Sequence, residues 1–225
     1  MDFSALDNPF WASLQSRHVH LAQQVGDVAR YPAEYAPFLG VRHAEVEVGD
    51  ALESLIPPKD TVLLIGVAPR VPKDWHLEAF RPLAQMYCTE RIAVIDGPEV
   101  IELDERHRAD VLALTALVYP HYFRPRTMEL GRYFGIYEDG RLAAMIGERM
   151  GTETTREMSA ICTHPDFLGR GYARRLTALL TNQTLARGHL PFLHVSRENP
   201  RAVQLYERIG YRFRPDIGFW ALRRS

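Results

Sequence analysis

Cysteine is scarce in this chain: among 225 residues only Cys88 and Cys162 occur, and each lies inside an apolar segment. That placement predicts reduced core thiols rather than a disulfide framework. Long hydrophobic runs are missing too, since none approaches the roughly 20 residues needed to span a bilayer. The opening MDFSALDNPFWASL has neither the basic stretch nor the apolar core of a secretory signal. These absences predict a cytoplasmic protein without a membrane partner. Excess charge of one sign is also lacking. With 27 Lys and Arg against 28 Asp and Glu the formal charge is -1, which gives no bulk attraction to nucleic acid or acidic membranes. Nine histidines are scattered, with His18 and His20 the one close pair. Without cysteine or carboxylate partners at ligand spacing, no metal site is expected. The length suffices for a substantial core, in one large domain or two modest ones.

Composition and punctuation divide the chain near residue 100, giving an N-terminal region over 1–100 and a second domain over 101–225. In the first half the apolar spacing of Phe10, Leu14, Leu21 and Val25 predicts a helix over 8–25. Pro32 and Pro37 make 31–39 a turn-rich connector. A buried strand is expected at 61–67, a helix at 77–87 and a short strand at 91–95. Asp96-Gly97-Pro98 marks the boundary. The second half reads as an amphipathic helix at 105–118, then strands at 133–137 and 142–148 around the hairpin turn Glu138-Asp139-Gly140-Arg141. A third meander strand at 158–163, a helix from about Gly171, a strand at 191–196, a helix at 200–209 and a terminal strand pair at 211–213 and 218–222 complete it. This order is α+β.

The most specific signal is EMSAICTHPDFLGRGYARRL, residues 157–176. It reads as a buried strand stopped by His164-Pro165, a short loop, a glycine turn and a helix. Gly169 and Gly171 permit a tight backbone and close approach of a bulky ligand. The helix buries a face through Ala173, Leu176, Leu179 and Leu180, yet its first turns carry Arg170, Arg174 and Arg175. Cations there oppose the helix dipole, whereas an anion bound to the free N–H groups explains both features. A dinucleotide fingerprint fits poorly. The glycines sit too far after the strand, and no carboxylate lies in the matching region 190–195 where a ribose would need one. A second pattern follows in 197–211, RENPRAVQLYERIGY. Asn199 is a good N-cap, Pro200 suits the first helical position and Gly210 suits the terminus, while Ala202, Val203, Leu205, Tyr206 and Ile209 form an apolar face.

These two segments, in this order and at this separation, resemble the GNAT superfamily of N-acetyltransferases over roughly 108–223. Arg170-Gly171-Tyr172-Ala173 matches the last four positions of its pyrophosphate loop, and Leu168 stands where the family usually has Gln or Arg. The resemblance implies a GNAT acyltransferase fold, with a mixed, mostly antiparallel central sheet flanked by helices. It also implies acetyl-CoA as co-substrate and no metal. Residues 1–100 vaguely echo the second half, as in proteins similar to glycine N-acyltransferase, whose first half is a degenerate GNAT-like unit. The alternative is an extension that covers the sheet edge and shapes the acceptor cleft.

By the same resemblance the cofactor-binding residues are Ile161, Cys162 and Thr163 on the strand, Leu168, Gly169, Arg170, Gly171, Tyr172, Ala173 and Arg174 on the loop and helix, and Asn199, Ala202 and Tyr206. Tyr206 would protonate the departing thiolate, or else be a core tyrosine bonding a carbonyl. Glu157 would be the base, with Glu148, or a water, as its rival. Cys162 suggests a covalent route only weakly, because the sequence fixes no histidine beside it. The function implied is acetyl-CoA-dependent transfer to a primary amine of a small molecule or amino acid. A coenzyme-A-binding sensor without turnover and a protein-lysine acetyltransferase are the alternatives. Residues 122–132 would line the acceptor, and Arg124, Arg126 and Arg132 hint at a carboxylate-bearing one. No nucleic-acid partner is expected, and the chain would be a monomer or homodimer.

Overall fold

The computed structural model describes residues 3–225. A first short meander comprises β1 (Gln23–Val25), β2 (Val28–Arg30) and β3 (Leu39–Val41), preceded by α1 (Pro9–Leu14) and followed by α2 (Gly49–Leu55). Next come β4 (Thr61–Ile65), β5 (Trp75–Ala79), β6 (Leu83–Tyr87), β7 (Ile101–Leu103) and α3 (Arg108–Val118). The long strands β8 (Tyr133–Glu138), β9 (Arg141–Gly151) and β10 (Thr155–Thr163) lead to α4 (Tyr172–Ala186) and β11 (Leu190–Ser196). The chain closes with α5 (Pro200–Ile209), β12 (Arg212–Phe213) and β13 (Phe219–Arg224).

The central sheet has seven strands in the order β12-β6-β11-β10-β9-β8-β7. Every pairing in it is antiparallel except β10 with β11. Helices flank it on opposite faces. Leu176 and Leu180 of α4 pack with Ala144, Ile146 and Met158, while Val111 and Leu114 of α3 pack with Met145, Ala160 and Cys162. The alternation of Ala144, Met145 and Ile146 between these two clusters is the period-two pattern of a strand buried on both faces. Local chemistry explains the second half. Asp139 and Gly140 both have positive φ, 50° and 72°, as a two-residue hairpin loop requires. Asn199 accepts from the Ala202 N–H at 3.1 Å to start α5, and Gly210 at φ 109° stops it.

The first half departs from expectation in several places. The helix expected over 8–25 is only α1, one short 3-10 turn (Val19–Leu21) and β1. Its backbone turns after Leu14, where the His18 N–H returns to the Ser13 carbonyl. Residues 77–87 form parts of β5 and β6 rather than a helix. Pro82 separates them, and β6 finds long-range partners on both sides, in β11 and β12. Residues 91–95 form no strand, because the Asn182 side chain satisfies both the Ile92 N–H and its carbonyl, each at 2.8 Å. The terminal strands do not pair with each other. β12 joins β6, and β13 lies between β4 and β5 in a separate three-stranded sheet. Sheet membership therefore does not follow a division at residue 100. β6 from the first half lies between β12 and β11 in the second-half sheet, and β13 from the end of the chain lies inside a first-half sheet. Among the described residues no helix is long and apolar enough to cross a membrane.

Candidate active site

The loop before α4 makes an anion cradle. Pro165–Phe167 is a single 3-10 turn capped by the His164 side chain, which accepts from the Asp166 N–H at 3.2 Å. Gly169 and Gly171 then take φ of 81° and 80°, left-handed values that side-chain-bearing residues rarely adopt. Gly171 is the N-cap of α4 and supplies no capping side chain. Among the described residues no protein group accepts from the N–H groups of residues 169–174. These donors and the positive end of a 15-residue helix converge on one spot. Arg170 lies over the Phe167 ring and 3.8 Å from Glu138, and Arg174 has no ion-pair partner among the described residues. Arg175 turns away, donating to the carbonyls of Ile95 and Pro98. Tyr172 points inward, its hydroxyl donating to Glu138 at 2.9 Å, so its contribution to the cradle is its backbone N–H.

Two cavities open from this end of the sheet. β10 and β11 pair only at Thr155–Leu190, Arg156–Pro191 and Glu157–Phe192. Beyond Glu157 the strands part, leaving the β11-facing backbone groups of β10 without a ladder partner. A bulge between Ser159 and Cys162, with Ala160 at φ 50°, turns this free stretch. The larger cavity, ≈ 680 Å³, runs along the cradle and contains Thr163, Leu168, Gly169, Arg170, Gly171, Tyr172, Ala173 and Arg174 in its wall. Arg201 and Arg208 join Arg170 and Arg174 around it. The smaller, ≈ 330 Å³, extends past the splayed strand toward the first half of the chain and includes Cys162. Val118, Ile161, Asn199, Ala202 and Tyr206 line both, so the cavities meet there. Tyr206 is 6% exposed. Burial raises its pKa above the ordinary phenol range, and no protein group hydrogen-bonds its hydroxyl among the described residues. Burial likewise pushes the Cys162 thiol up to about 12, so it holds its proton and is a poor nucleophile.

Glu157 lies in the wall of the smaller cavity inside a closed polar chain. Arg149 grips it with two hydrogen bonds, Nε to Oε2 at 2.8 Å and Nη2 to Oε1 at 2.7 Å. His194 Nδ1 adds a third at 2.8 Å to Oε1. Burial opposes the carboxylate charge, but the Arg149 charge, the Arg149 hydrogen bonds and His194 outweigh it and hold the pKa at about 2. On the far side of His194, Gln85 Nε2 approaches Nε2 at 2.9 Å and also donates to the Leu6 carbonyl at 2.8 Å. Gln85 Oε1 accepts from Arg214. With its amide so oriented, Gln85 donates to His194 Nε2, and the proton on His194 sits at Nδ1, facing Glu157. Glu148 lines neither cavity. Arg132 holds it at 2.5 Å, with Arg17 at 3.4 Å.

A crystal structure from Novosphingobium aromaticivorans, named as a GNAT-family acetyltransferase, is 31% identical to this chain, covers 98% of both chains and superposes with a TM-score of 0.85. The chain belongs to the GNAT family. The family model described as FR47-like protein matches residues 133–220. A GCN5-related N-acetyltransferase from Kribbella flavida shares the fold at 19% identity, covering 95% of this chain and 93% of its own, with a TM-score of 0.63. A spermidine N(1)-acetyltransferase from Vibrio cholerae is 45% identical over 49 residues, a match that spans 21% of this chain and 28% of that protein.

In this GNAT chain every residue assigned to the cofactor from sequence lines one or both cavities, and so do Tyr206 and Glu157. Residues 122–132 contribute only Tyr122 to the smaller one. Arg126 is paired with Glu129 at 2.6 Å and Arg132 with Glu148 at 2.5 Å, and Arg124 does not line the cavity. Sequence reasoning missed Arg149, His194 and Gln85, which no motif marks. It also missed Arg201 and Arg208, although a separation of seven places both on one face of α5. Among the described residues no cluster of three His, Cys, Asp or Glu could hold a metal ion.

Proposed function

We propose that this protein is an acetyl-CoA-dependent N-acetyltransferase that passes the acyl group directly to the primary amine of a small molecule. The observation that carries the reading is the meeting of two cavities at Tyr206, one walled by the anion cradle and the other mainly by apolar side chains. Acetyl-CoA fits the residues present. The unfilled N–H groups of residues 169–174 and the guanidinium groups of Arg170, Arg174, Arg201 and Arg208 would hold its phosphates. The unpaired side of β10, including Ile161, Cys162 and Thr163, offers backbone groups to its amide-bearing arm. Bound there, it supplies an acyl thioester at the junction.

The chain's own groups divide the remaining tasks. Tyr206 retains its proton at neutral pH and has no competing partner, which suits donation to the leaving thiolate. Glu157, held at about 2, is too weak a base to take a proton from an ammonium near neutrality. In our reading it remains a fixed anion with a lone pair on Oε2 that can orient an amine N–H. The apolar chamber disfavours an ammonium by desolvation, so the acceptor enters as free base and loses its proton to water after attack. Cys162, kept as a thiol, leaves transfer direct.

Thiol release from acetyl-CoA in the presence of an amine panel tests this. We expect amine-dependent release, with a rate that rises with pH toward the pKa of the acceptor amine. Tight acetyl-CoA binding with no release for any amine would replace the enzyme reading with that of a sensor.

A further inference from the structure

We infer that the acceptor is a small apolar monoamine with an aromatic or bulky aliphatic body and no second charge; this rests on the acetyl-transfer reading above. The smaller cavity is walled mainly by rings and branched chains, with Phe10, Phe38, Tyr119, Tyr122 and Phe219 prominent. Phe10 and Phe38 stack at 4.2 Å between centroids, and Tyr122 lies tilted at 6.3 Å from Phe219. The charged lining is limited to Arg149 and Glu157, with His194 beside them, and these three are hydrogen-bonded to one another.

That mutual pairing decides specificity. An amino acid brings a carboxylate that needs a free cation, but Arg149 commits Nε and Nη2 to Glu157. Of the neighbouring loop arginines, Arg126 is paired with Glu129 and Arg132 with Glu148, and Arg124 does not line the cavity. A polyamine brings a second ammonium that needs an unpaired anion, and the chamber has none. Either charge would be desolvated without compensation, a cost that ring burial does not offset. Size points the same way. A volume of ≈ 330 Å³ is at the lower limit of ligand pockets, which run from about 300 to 1,000 Å³. Such a chamber admits a ring on a short chain. Burial away from water also shifts a bound amine toward its neutral, nucleophilic form.

The test uses calorimetry on the full chain saturated with coenzyme A, so that no turnover occurs. Phenethylamine, phenylalanine and spermidine are the probes; the first two share a ring and differ by a carboxylate. We expect phenethylamine to bind at least tenfold more tightly than either of the others. Spermidine or phenylalanine binding as tightly as phenethylamine would overturn the inference. Tyr122→Asp, a loop substitution that adds an unpaired anion to the wall, should move the spermidine-to-phenethylamine affinity ratio at least tenfold toward spermidine. An unchanged ratio in the folded variant would also count against it. Thiol release from acetyl-CoA is read separately. Phenethylamine binding without release removes the transferase reading and leaves the ligand class standing. Release that is faster with spermidine than with phenethylamine does the reverse.

Discussion

Arg149→Met tests the buried ion pair in the wall of the smaller cavity. The side chains of Arg149 and Glu157 are 12% and 1% exposed, and two hydrogen bonds at 2.7 and 2.8 Å join them. Methionine keeps an unbranched apolar stem and removes the guanidinium, leaving Glu157 buried with His194 as its one remaining donor. Removing one partner of a buried pair costs about 3–5 kcal/mol, because the other charge stays uncompensated. In a chain of this size about 1 kcal/mol corresponds to 2–4 °C, so the melting temperature should fall by roughly 6–20 °C. The pH dependence should change sign as well. In the native chain Glu157 titrates near 2, below its ordinary 4.5, so its contribution is present above pH 4.5 and is lost as pH falls toward 2. Without Arg149, burial dominates and raises the carboxyl above its unfolded value. The variant is then least destabilised at low pH and loses stability as pH rises through the new value. Thermal unfolding from about pH 4 to 8 reads both effects. Arg149→Met combined with Glu157→Gln removes both charges and should recover most of the loss. A single variant that melts within about 2 °C of the native protein, or a double variant that recovers nothing, would refute the reasoning.

Three further outcomes are expected. Tyr206→Phe leaves no partner orphaned, so stability should shift by about 1 kcal/mol or less, while kcat falls roughly a hundredfold or more with KM for acetyl-CoA little changed; unchanged kcat would return Tyr206 to the core. Gly171→Val forces a branched residue to φ 80° and sets its Cβ 3.0 Å from Ile95 Cδ1, distorting the cradle from beneath. Calorimetry should then show at least a tenfold loss of coenzyme A affinity, about 1.4 kcal/mol, in a protein that remains folded. His18 is held at about 4, first by burial and then by the Arg17 charge, so the unfolded chain takes up its proton first as pH drops. Stability should be flat above pH 6.5 and decline between 6.5 and 4 by roughly 3 kcal/mol, and His18→Gln should flatten that segment of the denaturation profile.

The second half of the fold was legible because its signals are local. Asp139-Gly140, Asn199-Pro200 and Gly210 each specify a turn or helix end through their own backbone preferences, and the cradle is contiguous in sequence. The first half depends on partners far along the chain. β6 is a strand because β11 and β12 pair with it, and long-range pairing of this kind overrides the propensity of a short apolar run. The stretch at Ile92 has strand composition, but an asparagine on α4 satisfies its backbone, and it stays irregular.

Glu157 shows the same division within one residue. The resemblance marks it as the base at the start of the strand before the glycine loop, and the structure places it in the wall of the smaller cavity. Its chemistry, however, is set by Arg149 on the adjoining strand and by His194, which lies 37 positions away. A carboxylate read as a base from position alone becomes a fixed anion once these two are beside it. The chain of donors then runs through His194 to Gln85 on β6 and onward to Arg214. Gln85 is fully buried and also holds the Leu6 carbonyl, so a strand from the first half determines which nitrogen of His194 carries the proton. Phe10, Phe38, Ile65 and Leu83 from the same half contribute to the wall of the smaller cavity. The motif-free half of this GNAT chain thus adds an apolar wall to the smaller cavity and, through Gln85, fixes which nitrogen of His194 faces Glu157, while the motif-bearing half supplies Arg149, Glu157, the rest of that wall and the loop before α4.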